Sequence, residues 1–251
     1  MSQFFRSVQD LFFPPICICC RQCVVIEDAS SVELICGRCC DRFFESSARS
    51  TGRCKCCGFP IAMIENDADI VFFPCLECRY WKFRFSSTYC LGAYEGRLKK
   101  LVLQAKMVSG MPIAFALGQT LGTRLHPLSP DLVIPVPMHW RRRLTRQQSS
   151  AEALARGICS RAESRLVVET RAVRASRLTK KQGMLLPRQR RENVRNAFQV
   201  TKPEVISGRR VLLVDDVMTT GATLHEITGQ LLRHGASNVA VAVVCRAGAN
   251  S

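Results

Sequence analysis

Short unbroken apolar runs alternate, over the C-terminal two thirds of the chain, with stretches in which apolar residues return every third or fourth position. Val211-Leu212-Leu213-Val214 is too short for a helix and reads as a strand buried on both faces. A helical pattern follows from about Ala222 to His234, stopped by Gly235, and then a second apolar run from Val239 to Val244. Strand, crossover helix, strand is a βαβ unit, so the pattern predicts a parallel sheet. Upstream, Leu98, Leu101, Val102 and Ala105 share one helical face. Pro112 marks a break before a second helix, Ile113 to Leu125, built on Ala114, Leu117, Leu121 and Leu125. Asp131 to Pro137 predicts a short strand that leaves into a cationic loop, His139-Trp140-Arg141-Arg142-Arg143, and Ser149 to Ser160 is again helical. Leu166 to Val168 and Ala172-Val173 are short extended segments. Thr179 to Asn196 is polar and basic with no core-facing period, which predicts a long surface excursion.

The front of the chain follows a different rule. Met1 to Phe13 reads as a short amphipathic helix, interrupted by Arg6, Gln9 and Asp10 and closed by Pro14-Pro15. That makes it a poor signal peptide and a better candidate for docking on the protein's own core. Twelve of the 15 cysteines then fall between Cys17 and Cys78, among them four separated C-x-x-C pairs. These are Cys17/Cys20, Cys36/Cys39, Cys54/Cys57 and Cys75/Cys78. One C-x-x-C turn brings two thiolates to a metal, and two turns complete a tetrahedral zinc site. With no export signal the thiols stay reduced, which favours structural zinc over disulfides and a cytoplasmic location. The expectation is a double zinc ribbon-like domain over residues 1–88 and a larger domain over 89–251, with 79–95 bridging them. Segments this short need such a staple because they cannot bury enough apolar surface. Redox use of a C-x-x-C remains an alternative. The ligand register also stays open, since Cys20/Cys23 is a further C-x-x-C and Cys19, Cys40 and Cys56 lie nearby.

Charge separates the same two regions. Residues 1–88 carry ten basic and ten acidic side chains, whereas residues 89–251 carry 26 and ten, so the whole net charge of +16 lies in the second region. Between 141 and 195 there are 16 Lys/Arg against four acids, a surface suited to phosphates or nucleic acid. No stretch has the length and apolar content of a membrane-spanning helix. Chemistry concentrates where the first apolar run ends, at Asp215-Asp216-Val217-Met218-Thr219-Thr220-Gly221-Ala222-Thr223. Read from the sequence, the two acids sit just outside the carboxyl end of the strand, where open α/β sheets bind ligands. The Thr/Gly loop and the start of the next helix can turn N–H groups and hydroxyls toward a phosphate. Acids beside a phosphate cradle suit a ligand with both hydroxyls and phosphate, a ribose phosphate. Two adjacent carboxylates there repel each other unless a ligand, a metal or a basic partner is present.

This segment resembles the phosphoribosyl pyrophosphate (PRPP) motif of type I phosphoribosyltransferases. The order of cysteine ribbons, Ile134-Pro-Val-Pro-Met-His-Trp-Arg-Arg-Arg-Leu144 and then the PRPP motif resembles the ComF family, which includes the GntX-type proteins, over nearly the full chain. Gly92-Ala-Tyr94-Glu-Gly96 followed by Lys106, Thr179-Lys-Lys-Gln182-Gly-Met-Leu185, and Arg191-Glu-Asn193-Val194-Arg-Asn-Ala197-Phe198 carry the likeness further. The resemblance implies an α/β fold, a type I phosphoribosyltransferase-like parallel sheet with helices behind a small zinc ribbon domain. It implies that Asp215 and Asp216 take the ribose hydroxyls and that Thr219, Thr220, Gly221, Ala222 and Thr223 hold the 5′-phosphate. Mg²⁺ would accompany PRPP, Arg141, Arg142 and Arg143 would offset charge on the pyrophosphate, and Lys106 would add a phosphate contact. It also implies a part in DNA uptake during natural transformation, with a DNA-uptake helicase as partner, or a less defined part in non-competent bacteria. The rival reading is a non-catalytic single-stranded DNA-binding factor that uses the basic surface, with Trp140 stacking on a base. The chain departs from the family pattern at Thr145-Arg146-Gln147-Gln148-Ser149-Ser150, where Arg-Arg-Gly-Phe-Asn-Gln is common. No residue identifies the accepting base, and whether turnover occurs stays open.

Overall fold

The computed structural model describes residues 16–22, 24, 34–48, 51–62, 75–123, 125, 129–138, 149–162, 166–177 and 187–248. The expected helix over Met1–Phe13, the cationic loop with Trp140 and Arg141 to Arg143, and the 178–186 stretch lie outside these residues.

The front of the chain gives α1 (Gly37–Ala48), the antiparallel pair β1 (Thr51–Arg53) and β2 (Pro60–Ala62), and α2 (Leu76–Tyr80). Then come β3 (Thr88–Ala93), α3 (Gly96–Ala105), α4 (Met111–Gly122), β4 (Leu132–Pro135), α5 (Ser150–Cys159) and β5 (Val167–Val168). The chain continues through β6 (Val173–Ala175), α6 (Pro187–Val194), β7 (Phe198–Val200), α7 (Pro203–Ile206), β8 (Arg210–Met218), α8 (Ala222–Arg233) and β9 (Asn238–Arg246). Five strands form one wholly parallel sheet in the order β3-β9-β8-β4-β5, and β6 pairs with β7 as an antiparallel ribbon.

The two faces of β8 explain the layers. Leu212 and Val214 pack with Leu98, Leu101 and Val102 of α3, Leu117 of α4 and Leu154 of α5. Val211 and Leu213 pack with Leu224, Ile227 and Leu231 of α8 and with Phe198 and Val200 of β7. Helices on both faces leave the central strands no exposed side, which is why they read as unbroken apolar runs. The cysteine segments join these same cores: Cys17 and Cys39 belong to the first, Cys54, Cys57 and Cys75 to the second.

Three sequence readings change. The helix expected from Ile113 to Leu125 runs from Met111 to Gly122, with Pro112 inside its first turn, which has no use for the missing N–H. Part of the expected surface excursion is α6, a helix of strong helix formers whose Val194 is buried. And β8 does not stop at Val214. It runs through both aspartates to Met218, because β9 continues alongside it, Asp215 opposite Val243 and Met218 opposite Arg246.

Candidate functional site

Asp215 and Asp216 are consecutive residues of a strand, so their side chains leave opposite faces of the sheet. Asp216 turns toward α3 and α5: its Oδ2 lies 3.2 Å from Lys106 Nζ and accepts from Ser150 Oγ at 3.2 Å. Lys106 follows the last turn of α3, and Ser150 opens α5. Burial works against the Lys106 charge, but Asp216 more than offsets this and its pKa moves up. Asp215 has no such pair among the described residues. Its Oδ1 accepts only the Asp216 backbone N–H, at 2.9 Å. Burial and then the neighbouring Asp216 charge raise its pKa to about 7, with Lys106 and that N–H pulling the other way. The structure therefore relieves the repulsion between adjacent acids with a lysine beside one and a raised affinity for a proton at the other.

Thr219 and Thr220 follow β8 directly, and Gly221 leads into α8 at φ 71°. That left-handed turn favours glycine, and a Cβ here would lie 2.6 Å from Met218 Cε and 2.7 Å from Phe83 Cε1. Gly221 contributes no side-chain cap, and Thr220 Oγ1 accepts from the Ala222 N–H at 3.4 Å. The first turn of a twelve-residue helix thus opens beside the two aspartates, an arrangement that can hold a phosphate.

Sequence reasoning missed what fixes this loop. Arg246, the last residue of β9, is 2% exposed. It donates to the backbone carbonyls of Met218 (3.2 Å), Thr219, Ala247 (2.7 Å) and Cys57 (3.1 Å). One buried guanidinium therefore ties the candidate phosphate loop to a cysteine knuckle 189 residues away. An arginine at a strand end gives no sequence signal for this. Ser149 was foreseeable. It caps α5, accepting from the Glu152 N–H at 3.4 Å, and Ser149-x-x-Glu152 is a capping-box pattern.

The eight C-x-x-C cysteines gather into two sets, Cys17/Cys20/Cys36/Cys39 and Cys54/Cys57/Cys75/Cys78, each with its sulfurs within 4.8 Å of one another. Four thiolates at about 2.3 Å around a tetrahedral zinc would lie about 3.8 Å apart. Cys20 to Cys36 and Cys54 to Cys78 are both 3.7 Å, and Cys57 to Cys75 is 3.3 Å, so each set fits zinc. Cys40 and Cys56 instead turn to the carbonyls of Ile35 and Phe85. In each set burial opposes ionisation, yet backbone N–H groups bring one thiol, Cys17 and Cys54, down to about 7. Cys57 is pushed up to about 12 by burial and its thiol neighbours, and Cys39 and Cys78 also rise. One thiolate forms readily in each set, and four need a dication to hold them. Gly58, at φ 67°, closes the second knuckle against Thr88 of β3.

A parallel sheet with helices on both faces, two acids near a strand end and a Gly-turned helix start define a phosphoribosyltransferase-like protein. Residues 150–251 match the family model described as the phosphoribosyl transferase domain. The chain belongs to the ComF family. It is 31% identical to "DNA utilization protein YhgH" of Escherichia coli O6:H1 (strain CFT073) over 94% of this chain and 99% of that protein. It is also 35% identical to "Competence protein F" of Haemophilus influenzae over 49% of this chain and 54% of that protein. Among solved structures, the glutamine PRPP amidotransferase from B. subtilis aligns with 58% of this chain and 30% of its own, at 22% identity and a TM-score of 0.39. No described helix is long and apolar enough to cross a membrane.

Proposed function

We propose that this chain binds PRPP or a related ribose phosphate at Thr219–Thr223 and serves in the uptake or use of DNA. The observation that carries the reading is the left-handed Gly221 between β8 and α8, which opens a helix N-terminus beside Asp215 and Asp216. The names of the full-length relatives support the DNA role. In this reading the amides of 220–223 and the threonine hydroxyls hold the 5′-phosphate. Asp215, once it loses its proton, accepts from a ribose hydroxyl. Asp216 enters with its charge already matched by Lys106, so a second hydroxyl can share it without a net charge being buried. Magnesium, when bound, supplies charge neutralisation at the pyrophosphate. Arg141, Arg142 and Arg143 would assist there, and the reaction such a site serves is pentosyl transfer.

The test is calorimetry of PRPP with Mg²⁺ into the zinc-loaded full chain. The reading expects saturable heat that Asp215→Asn reduces. Absence of heat up to millimolar PRPP, or an Asp215→Asn titration identical to the parent's, contradicts it. The second reading, a single-stranded DNA factor without turnover, is favoured by the +16 charge confined to 89–251. It expects strand affinity to fall steeply with salt, and a gel shift that ignores salt would rule it out.

A further inference from the structure

The antiparallel ribbon β6–β7 packs one face on the molecule and turns the other to solvent. Val173, Phe198 and Val200 are buried in one core with Ile227 and Leu231 of α8. Arg174 and Gln199, opposite each other across the two strands, are exposed. Arg171, Arg177 and Arg195 are exposed around them. The segments 171–177 and 195–202 together hold five Lys/Arg and no acid.

The way these arginines are held sets them apart from other exposed cations. Arg210 closes on Asp131 at 2.9 Å, and Lys202, just past the ribbon, closes on Glu169 at 3.0 Å. Arg174 instead donates from Nε and Nη2 to the Gln199 side-chain oxygen, at 3.2 and 2.7 Å. Arg177 donates from Nη2 to the Arg195 backbone carbonyl at 2.8 Å. Both acceptors are neutral, and neither guanidinium has a carboxylate partner among the described residues. Of the acids on neighbouring helices, Glu192 lies on α6, and Glu226 on α8 accepts the Asn196 N–H at 3.1 Å. A carboxylate at 199 would be the more stabilising partner across the two strands. Glutamine fixes the guanidinium without neutralising it and leaves spare N–H donors open.

We propose that the outer face of this ribbon carries the sugar-phosphate backbone of a single-stranded nucleic acid, with Arg174 and Arg177 as fixed phosphate contacts and Arg171 and Arg195 beside them. A planar guanidinium held in place with its charge open suits paired phosphate oxygens. Extended chain rises about 3.3 Å per residue, so Arg174 and Arg177 lie up to about 10 Å apart and can touch separate phosphates. The other face of the ribbon is committed to α8, so it cannot enter a duplex groove as a free two-stranded ribbon does. The proposal rests on the DNA reading above and gives it a surface. It does not depend on PRPP binding.

The test is fluorescence anisotropy of a labelled oligodeoxythymidylate of about 16 nucleotides with the full-length, zinc-loaded chain, across a series of salt concentrations. On a single strand each phosphate contact contributes about 0.7 to the slope of log affinity against log salt. Arg174→Gln and Arg177→Gln should each make the slope shallower by about 0.7, and the double variant by about 1.4. Lys100→Gln removes an exposed charge from α3, on the opposite face of the sheet, and should leave the slope unchanged. Gln199→Glu places a carboxylate against Arg174. Thermal stability should then hold or rise while strand affinity falls about threefold near physiological salt. A parent that does not bind the strand, or whose affinity ignores salt, removes the DNA reading and the proposal with it. Salt-dependent binding with both arginine variants at the parent slope, or with Lys100→Gln losing as much as they do, overturns the proposal and leaves that reading standing. So does a Gln199→Glu chain that binds the strand as the parent does. A duplex bound as tightly, and weakened equally by the variants, overturns the choice of a single strand.

Discussion

The first cysteine set packs with Phe43 and Ile35 into the helical layer of α3, α4 and α5, where Cys40 meets Thr120 Oγ1 of α4 at 3.7 Å. It borders a cavity of about 370 Å³ at the start of α3, lined by Cys39, Phe43, Ala93 and Arg97. The second set packs on the other face, and its Cys57 carbonyl receives the buried guanidinium that also holds Met218 and Thr219. Its knuckle further grips β3, with Thr88 Oγ1 donating to the Cys56 carbonyl at 2.6 Å. The two sets have nearly the same ligand spacing and different mechanical positions. One braces a helical layer, the other reaches the candidate phosphate loop. A metal site's role is set by where its backbone carbonyls and N–H groups lead as much as by its ligands.

That contrast is sharpest if each metal is removed in turn. Cys17→Ser and Cys54→Ser should each lower the zinc content from two to one, because structural zinc binding contributes about 10–16 kcal/mol. Phosphate affinity at the Thr219–Thr223 loop should fall about tenfold or more in Cys54→Ser and change less than about threefold in Cys17→Ser, which corresponds to under 1 kcal/mol. Equal losses would erase the distinction. Next in size is Arg246→Gln, which leaves several buried carbonyls without a donor and should destabilise by about 3 kcal/mol in urea unfolding. Its zinc content should stay at two.

How much of this was legible in the sequence divides along physical lines. The apolar runs of β8 and β9, the α3 face of Leu98, Leu101, Val102 and Ala105, and the eight paired cysteines follow from local pattern, and the structure places them as expected. The extension of β8 through Asp215 and Asp216 was not legible, because residues 243–246 of β9 impose it across the sheet. Lys106 read as a phosphate contact, and in the structure it lies on Asp216, a relation only the fold creates. Arg246 gave no signal, since nothing local distinguishes a strand-end arginine that is buried from one in solvent. The 88/89 division falls at the first residue of β3, and both cysteine sets share core with the sheet.

The aspartates offer a gentler test than the metals. The folded pKa of Asp215, about 7, lies above its ordinary value of 3.8, so the fold favours the protonated form. Its contribution is fully present below about pH 4 and is lost as pH rises toward and through 7. Asp215→Asn should therefore be more stable than the parent above pH 8, by roughly 1–4 kcal/mol, with the difference shrinking on acidification. Ligand binding that requires the carboxylate should strengthen as pH rises through 7 and lose that dependence in the variant. Smallest is Ser149→Ala, which removes the α5 cap and should cost about 1 kcal/mol by thermal or urea unfolding without altering zinc content.

The most direct measurement is a crystal structure of the zinc-loaded chain soaked with PRPP and Mg²⁺. The account predicts a 5′-phosphate on the N–H groups of residues 220–223, with ribose hydroxyls within hydrogen-bond distance of Asp215 and Asp216. A phosphate bound elsewhere, with the Thr219–Thr223 loop vacant and no ribose hydroxyl within hydrogen-bond distance of Asp215 or Asp216, would contradict it.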